Sequence, residues 1–175
     1  YGSDAIGGAL DLRMSDARFV SVKNNLELFT EAGSFDTFRS ALKYQTKEDR
    51  VGIVMDASYL HTDNDRPFSQ FENLTLRNNI AYEVSDNIHF DLLSFYQGSD
   101  LQVPGSELGG SFPEPQINVN ESSLISPRLS ITEKDWNAQI FFSRTASELE
   151  AIQDVFQQDN ILEQTGNEIE ALVNY

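Results

Sequence analysis

Leu74-Thr75-Leu76-Arg77-Asn78-Asn79-Ile80-Ala81-Tyr82-Glu83-Val84 alternates between two kinds of residue over most of its length. Leu74, Leu76, Ile80, Tyr82 and Val84 fall on one side; Thr75, Arg77, Asn79, Ala81 and Glu83 fall on the other. Successive side chains of a β-strand point to opposite faces, so the stretch is a strand with one apolar, partly aromatic face and one polar, charged face.

The same split recurs along the chain. In 51–59, Val51, Ile53, Met55, Ala57 and Tyr59 oppose Gly52, Asp56 and Ser58. In 37–46, Phe38, Leu42 and Tyr44 oppose Arg39, Lys43 and Gln45; in 88–97, Ile88, Phe90, Leu92 and Tyr96 oppose His89, Asp91 and Gln97. In 124–132, Ile125, Leu129 and Ile131 oppose Ser126, Arg128 and Ser130; in 136–144, Trp136, Ala138, Ile140 and Phe142 oppose Asn137, Gln139 and Ser143. With weaker patterns at 24–31 and 167–175, about eight strands are predicted.

The connections alternate in length. Lys47–Arg50, Ser85–Asn87 and Glu133–Asp135 are short polar turns, whereas 62–73, 98–123 and 146–166 read as long loops. Within them, 101–120 is rich in Gly and Pro and reads as irregular. Leu149, Ile152, Val155 and Phe156 are at helical spacing, so 147–161 reads either as a short helix inside a loop or as an acidic loop. Short turns at one end and long loops at the other are the layout of an outer-membrane β-barrel. Phe38, Tyr44, Tyr59, Tyr82, Tyr96 and Trp136 near strand ends match the aromatic girdles of such barrels. Mid-strand Arg77, Glu83, Asp91 and Arg128 suit a wide, wet lumen. A soluble barrel with the opposite sidedness would turn the same charges outward, and alternation alone does not say which face is inside.

Composition narrows the function classes. The formal net charge of -16 opposes binding to nucleic acid, which needs clustered Lys and Arg. The absence of cysteine excludes disulfides and thiolate metal sites. No apolar run is long enough for a transmembrane helix, which does not bear on a barrel, where only alternate residues meet lipid. With two histidines, His61 and His89, and no Gly-rich phosphate loop or nucleophile–base set, an enzyme is not expected. His89 falls among the polar-face residues and reads as a wall residue; His61 stands beside Asp63 and Asp65, where a ligand role is conceivable.

The opening Tyr1-Gly2-Ser3-Asp4-Ala5-Ile6-Gly7-Gly8-Ala9-Leu10-Asp11-Leu12 resembles the end of the plug domain in TonB-dependent outer-membrane transporters, which closes on such a run just before the barrel. Gly7 and Gly8 permit the tight turn and close approach that the run requires. Glu31–Arg39 resembles the first barrel hairpin of that family, with Gly33 and Ser34 at its tip.

The resemblance implies a division into the C-terminal end of a plug (1–14), a linker (15–22) and the N-terminal part of a transmembrane, antiparallel, all-β barrel (23–175). It implies a piece of a larger protein, since plugged barrels of this type have about twenty-two strands. It also implies an outer-membrane location in a Gram-negative bacterium and contact with lipid. TonB would be a partner through an N-terminal segment, and the imported solute would be of the siderophore or cobalamin (corrinoid) class. Loop aromatics Phe68, Phe71 and Phe112 are the candidates for solute contact.

Within the family the likeness is greatest to the cobalamin transporters, through Thr62-Asp63-Asn64-Asp65 and Val103-Pro104-Gly105-Ser106. That likeness implies calcium on Asp63, Asp65 and Asp100, although Arg66 sets a cation beside them. The alternatives from other classes are a small eight-stranded structural or adhesive outer-membrane barrel, which leaves Tyr1–Leu12 unexplained, and a soluble ligand-binding barrel.

Overall fold

The computed structural model describes residues 16–104, 116–153 and 158–175. Eight strands run in the order of the sequence through one antiparallel sheet. They are β1 (Asn25–Ala32), β2 (Phe38–Glu48), β3 (Val51–Thr62), β4 (Phe71–Ser85), β5 (Ile88–Val103), β6 (Gln116–Thr132), β7 (Asn137–Gln153) and β8 (Gln158–Asn174). Among the described residues no ladder joins β1 to β8, so the sheet is open. A single 3-10 turn, η1 (Ala17–Phe19), precedes β1. The plug run Tyr1–Gly8 and the loop residue Phe112 lie outside the described residues.

The expected strands are present, and the short turns fall where the sequence places them. The long loops differ. β5 and β6 stay paired out to Val103 opposite Gln116, and β7 and β8 out to Gln153 opposite Gln158. The segment from Ser147 to Gln153, expected to be helix or loop, is therefore strand, and Gln116–Ser123 is not irregular. The physical reason is that backbone ladders hold these extensions while polar and apolar residues mix on their faces, so side-chain order alone does not mark them as strand.

The two faces of the sheet are unequal. Directly opposed residues share a face, and Val51, Tyr82, Phe90, Leu129 and Ile140 form one row across five strands. That apolar face is open: Leu74, Leu76, Tyr82, Phe90, Ile125, Leu129 and Ile140 are all exposed. The other face carries the buried residues. Val54, Ala81, Asp91 and Ser130 lie there, and Ala17 of η1 is fully buried against it. The chain before β1 therefore lies on the polar face of the sheet.

The apolar area is a slanted band. Its edge at the loop end passes through Phe38 in β2, Tyr59 and Leu74 in β3 and β4, and Tyr96 in β5. It continues through Ile125 in β6 to Phe142 and Ile169 in β7 and β8. Past that edge charged and polar residues enter the same face, Glu72, Asp100, Glu121, Arg144 and Asn167 among them, beside Ile117, Val119 and Ile152. Following the ladders, the edge falls by about eight residue positions over five strand spacings, roughly 26 Å along the strands for roughly 24 Å across them. The strands therefore cross the band at about 45°. Aromatic residues mark both margins: Tyr44, Tyr82, Phe90 and Trp136 towards the short turns, Phe38, Tyr59 and Tyr96 towards the loops.

Candidate functional site: a charged cluster on the polar face

The segment entering the sheet is held by contacts that only this local sequence provides. Asp16 is the N-cap of η1 and its carboxylate accepts from the Arg18 amide. The Ala17 amide donates to Asn79 Oδ1 at 2.6 Å, on β4. Gly52 on β3 makes the approach possible: a Cβ there would stand 2.1 Å from the Ala17 carbonyl oxygen. Glycine is required at this position for space, not for a special dihedral angle. Further along, the Lys47 amide donates to the Val22 carbonyl, so residues 16–22 of the expected linker 15–22 lie against the sheet at both ends.

Charge completes the attachment. Asp91, on β5, is 2% exposed, and Arg128, its register partner on β6, places Nε 3.2 Å from Asp91 Oδ2. Arg18 Nε stands 3.5 Å from Asp91 Oδ1 and also makes a two-pronged contact with Asp16, Nη2 to Oδ2 being 2.6 Å. The order Asp16, Arg18, Asp91, Arg128 alternates in sign. A carboxylate this buried requires such partners, because an unpaired charge in that position costs several kcal/mol.

Burial pushes the Asp16 carboxyl up, but hydrogen bonds and charge from Arg18 outweigh it and leave the group below its ordinary range. Arg18 is held above its ordinary value by its hydrogen bond to Asp16, against the opposing effect of burial, with the charge of Asp91 adding to the rise.

The cluster is the centre of a longer polar surface. Lys43, Asp56 and Arg77 are in register across β2, β3 and β4, with Arg77 Nε 3.7 Å from Asp56 Oδ2. Lys47 pairs with Glu83 nearer the short turns. Two adjoining hollows beside the segment share Asn79, Leu93 and Arg128 in their walls. His89 Nδ1 and Ser130 Oγ, opposite each other in β5 and β6, are buried without a hydrogen-bond partner among the described residues. The arrangement clasps a chain segment and lines a polar surface.

The sequence singles out Asp91 and Arg128 as mid-strand charges but not as partners of residues 16 and 18. The pairing depends on a return of the chain onto the sheet that no local pattern encodes.

Of the residues expected to bind calcium, Asp63 and Asp65 lie in the connection after β3 and Asp100 lies on β5. Asp63 lies with Asp36 and His61 in a group whose potential ligand atoms are all within 4.8 Å of one another. Asp65 and Asp100 are not in that group; Asp100 sits on β5 opposite Glu72. Of the expected solute-contact aromatics, Phe68 is exposed in the loop between β3 and β4, and Phe71 begins β4. Asp36 and Glu72 were not legible as candidates, because they join His61 only through hairpin pairing.

Comparison with protein-family models gives no match for this chain, and comparison with curated proteins gives none either.

Proposed function

We propose that this chain forms part of the barrel wall of a TonB-dependent outer-membrane transporter, with residues 16–22 leading from a plug into the first strand. The observation that carries the membrane part of this reading is the slant of the exposed apolar band. A horizontal hydrocarbon layer cutting strands tilted by about 35–45° meets each successive strand further along its length. The band edge falls in that manner from Phe38 to Phe142. A soluble sheet has no reason to slant an exposed apolar stripe, and large exposed apolar areas mark contact with lipid or another protein.

The transporter part rests on two further features. The Tyr1–Leu12 run resembles the close of a plug, and the chain that follows it lies on the polar face, the lumen side of such a wall. Open edges are not tolerated in lipid, so β1 and β8 need strand partners. Pairing them with each other would leave β8 mostly unmatched, since β1 spans Asn25–Ala32 and β8 spans Gln158–Asn174. A larger closed barrel supplies those partners without that mismatch.

The transport mechanism would be capture of a scarce solute by loops and plug, followed by displacement of the plug through TonB. Coupling requires that bound solute favour the conformation TonB engages. Uptake by cells expressing the full reading frame tests this, using cyanocobalamin and a panel of ferric siderophores as probes. Energy-dependent accumulation of one probe, lost on deletion of TonB, is the expected result. Failure of every probe, or uptake indifferent to TonB, removes the transporter reading.

A further inference from the structure

We infer that Asp36, His61 and Asp63 form a binding site for a borderline divalent metal ion such as Zn²⁺, Co²⁺ or Ni²⁺, at the loop end of β2 and β3. The site follows from the pairing of β2, β3 and β4 and stands whether or not the chain transports a solute.

The site is built by two neighbouring connections tied together. Asp36 is in the turn between β1 and β2; Asp63 follows β3 directly. The Asp63 amide donates to the Phe35 carbonyl at 2.8 Å, and Thr37 Oγ1 and Thr62 Oγ1 are hydrogen-bonded at 2.8 Å. His61 stands on β3, opposite Phe38 of β2 and Glu72 of β4, with its side chain 17% exposed. It is thus fixed by strand geometry, while the two aspartates reach it from the connections.

Glu72 sets the state of the imidazole. Its Oε1 is 3.0 Å from His61 Nδ1. An ionised carboxylate only accepts, so Nδ1 carries a proton and donates. In the neutral ring the lone pair is then on Nε2. That nitrogen faces Asp63 Oδ1 at 3.5 Å and Asp36 Oδ2 at 3.8 Å. A lone pair directed at two carboxylates is a set of acceptors without a cation. A carboxylate holding the far nitrogen of a metal-binding histidine is the usual second contact of such sites.

Two ligand atoms each about 2.1 Å from a tetrahedral ion stand about 3.4 Å apart. The separations of 3.5 and 3.8 Å leave room for an ion between Nε2 and the two carboxylates. One nitrogen and two carboxylate oxygens select a borderline ion; calcium prefers six to eight oxygens. Asp63 Oδ1 also accepts from Gln70 Nε2 at 3.2 Å, which orients the carboxylate. The fourth position remains for water or for a donor atom of a bound solute.

The test is metal titration of the full protein in detergent, stripped with chelator, using Zn²⁺ in competition with a chromophoric chelator and Co²⁺ followed by its visible absorption. One equivalent should bind, with intense tetrahedral Co²⁺ bands, and millimolar Ca²⁺ should not displace it. His61→Ala should abolish binding. Glu72→Gln, which touches the ring and not the ion, should weaken it by about 10–100-fold. Asp65→Asn should leave affinity unchanged. Absence of stoichiometric binding, retention of binding in His61→Ala, or displacement by Ca²⁺ would each overturn the site. The folded state of each variant is read from its heat-dependent electrophoretic mobility, so loss of the site is separable from loss of the fold.

Discussion

Asp91 and Arg128 face each other across β5 and β6 on the polar side of the sheet, Arg128 Nε lying 3.2 Å from Asp91 Oδ2, and Arg18 closes on the other carboxylate oxygen from outside the sheet. The carboxylate therefore joins two neighbouring strands to the segment that precedes all of them. Removing it leaves two guanidinium groups facing an emptied site. Asp91→Ala should cost about 3–5 kcal/mol, the usual result of breaking a buried pair from one side. The segment should loosen first, so trypsin should cut after Arg18 faster in the variant while the strands stay protected. An unchanged cleavage rate would mean that the cluster does not hold the segment.

Gly52 tests the same attachment without altering charge. The methyl group of Gly52→Ala meets the Ala17 carbonyl oxygen, and the backbone of η1 must move. A loss on the order of 1–3 kcal/mol is expected in urea unfolding of the full protein in detergent. Trypsin cleavage after Arg18 should rise here as well. Wild-type stability would show that the segment rests elsewhere.

Acid should release the segment. The Asp16 carboxyl is held below its ordinary value of 3.8 by Arg18, so its contribution is complete above about pH 4 and is lost as pH falls through the lowered folded-state value. A spin label introduced by Phe19→Cys, at a site 80% exposed, should gain mobility over that acid range. In Asp16→Asn this component of the transition should be absent and the label already more mobile at neutral pH. A label whose mobility does not change with pH in either protein would contradict the assignment.

Most of the fold was legible where the two faces differ in what they touch. Leu74–Val84 and its counterparts alternate because one side is apolar and exposed while the other packs the entering chain. The regular alternation ends at Tyr96, Ile125 and Phe142, beyond which Asp100, Glu121 and Arg144 interrupt the apolar face. The strand extensions past those residues, Gln116–Ser123 and Ser147–Gln153 among them, are held by backbone pairing that leaves no mark on side-chain order. The helical spacing of Leu149 and Ile152 reflects that freedom rather than a helix. The His61 group was hidden for another reason: Asp36 and Glu72 are distant in sequence and meet only once the hairpins pair in register.

The two faces should differ in their tolerance of charge. Ile80 lies near the middle of the band on β4, and Ile80→Arg should cost about 2–4 kcal/mol in the lipid-embedded protein. Thr75→Arg, on the polar face of the same strand, should change stability by no more than about 0.5 kcal/mol. Equal penalties, measured by unfolding in lipid vesicles, would argue that β4 does not separate two such environments.

Whether the exposed apolar face meets lipid and the polar face meets water is read from an accessibility scan of β4. The chain has no cysteine, so single cysteines from 74 to 84 can each carry a nitroxide label in the full protein reconstituted into vesicles, provided any cysteines elsewhere are removed. An alternation is expected: collisions with oxygen dominating at 74, 76, 80, 82 and 84, collisions with a water-soluble nickel chelate dominating at 75, 77 and 83, and few collisions with either at 79 and 81, beneath the entering segment. Uniform access to the nickel chelate, or the reverse alternation, would contradict it.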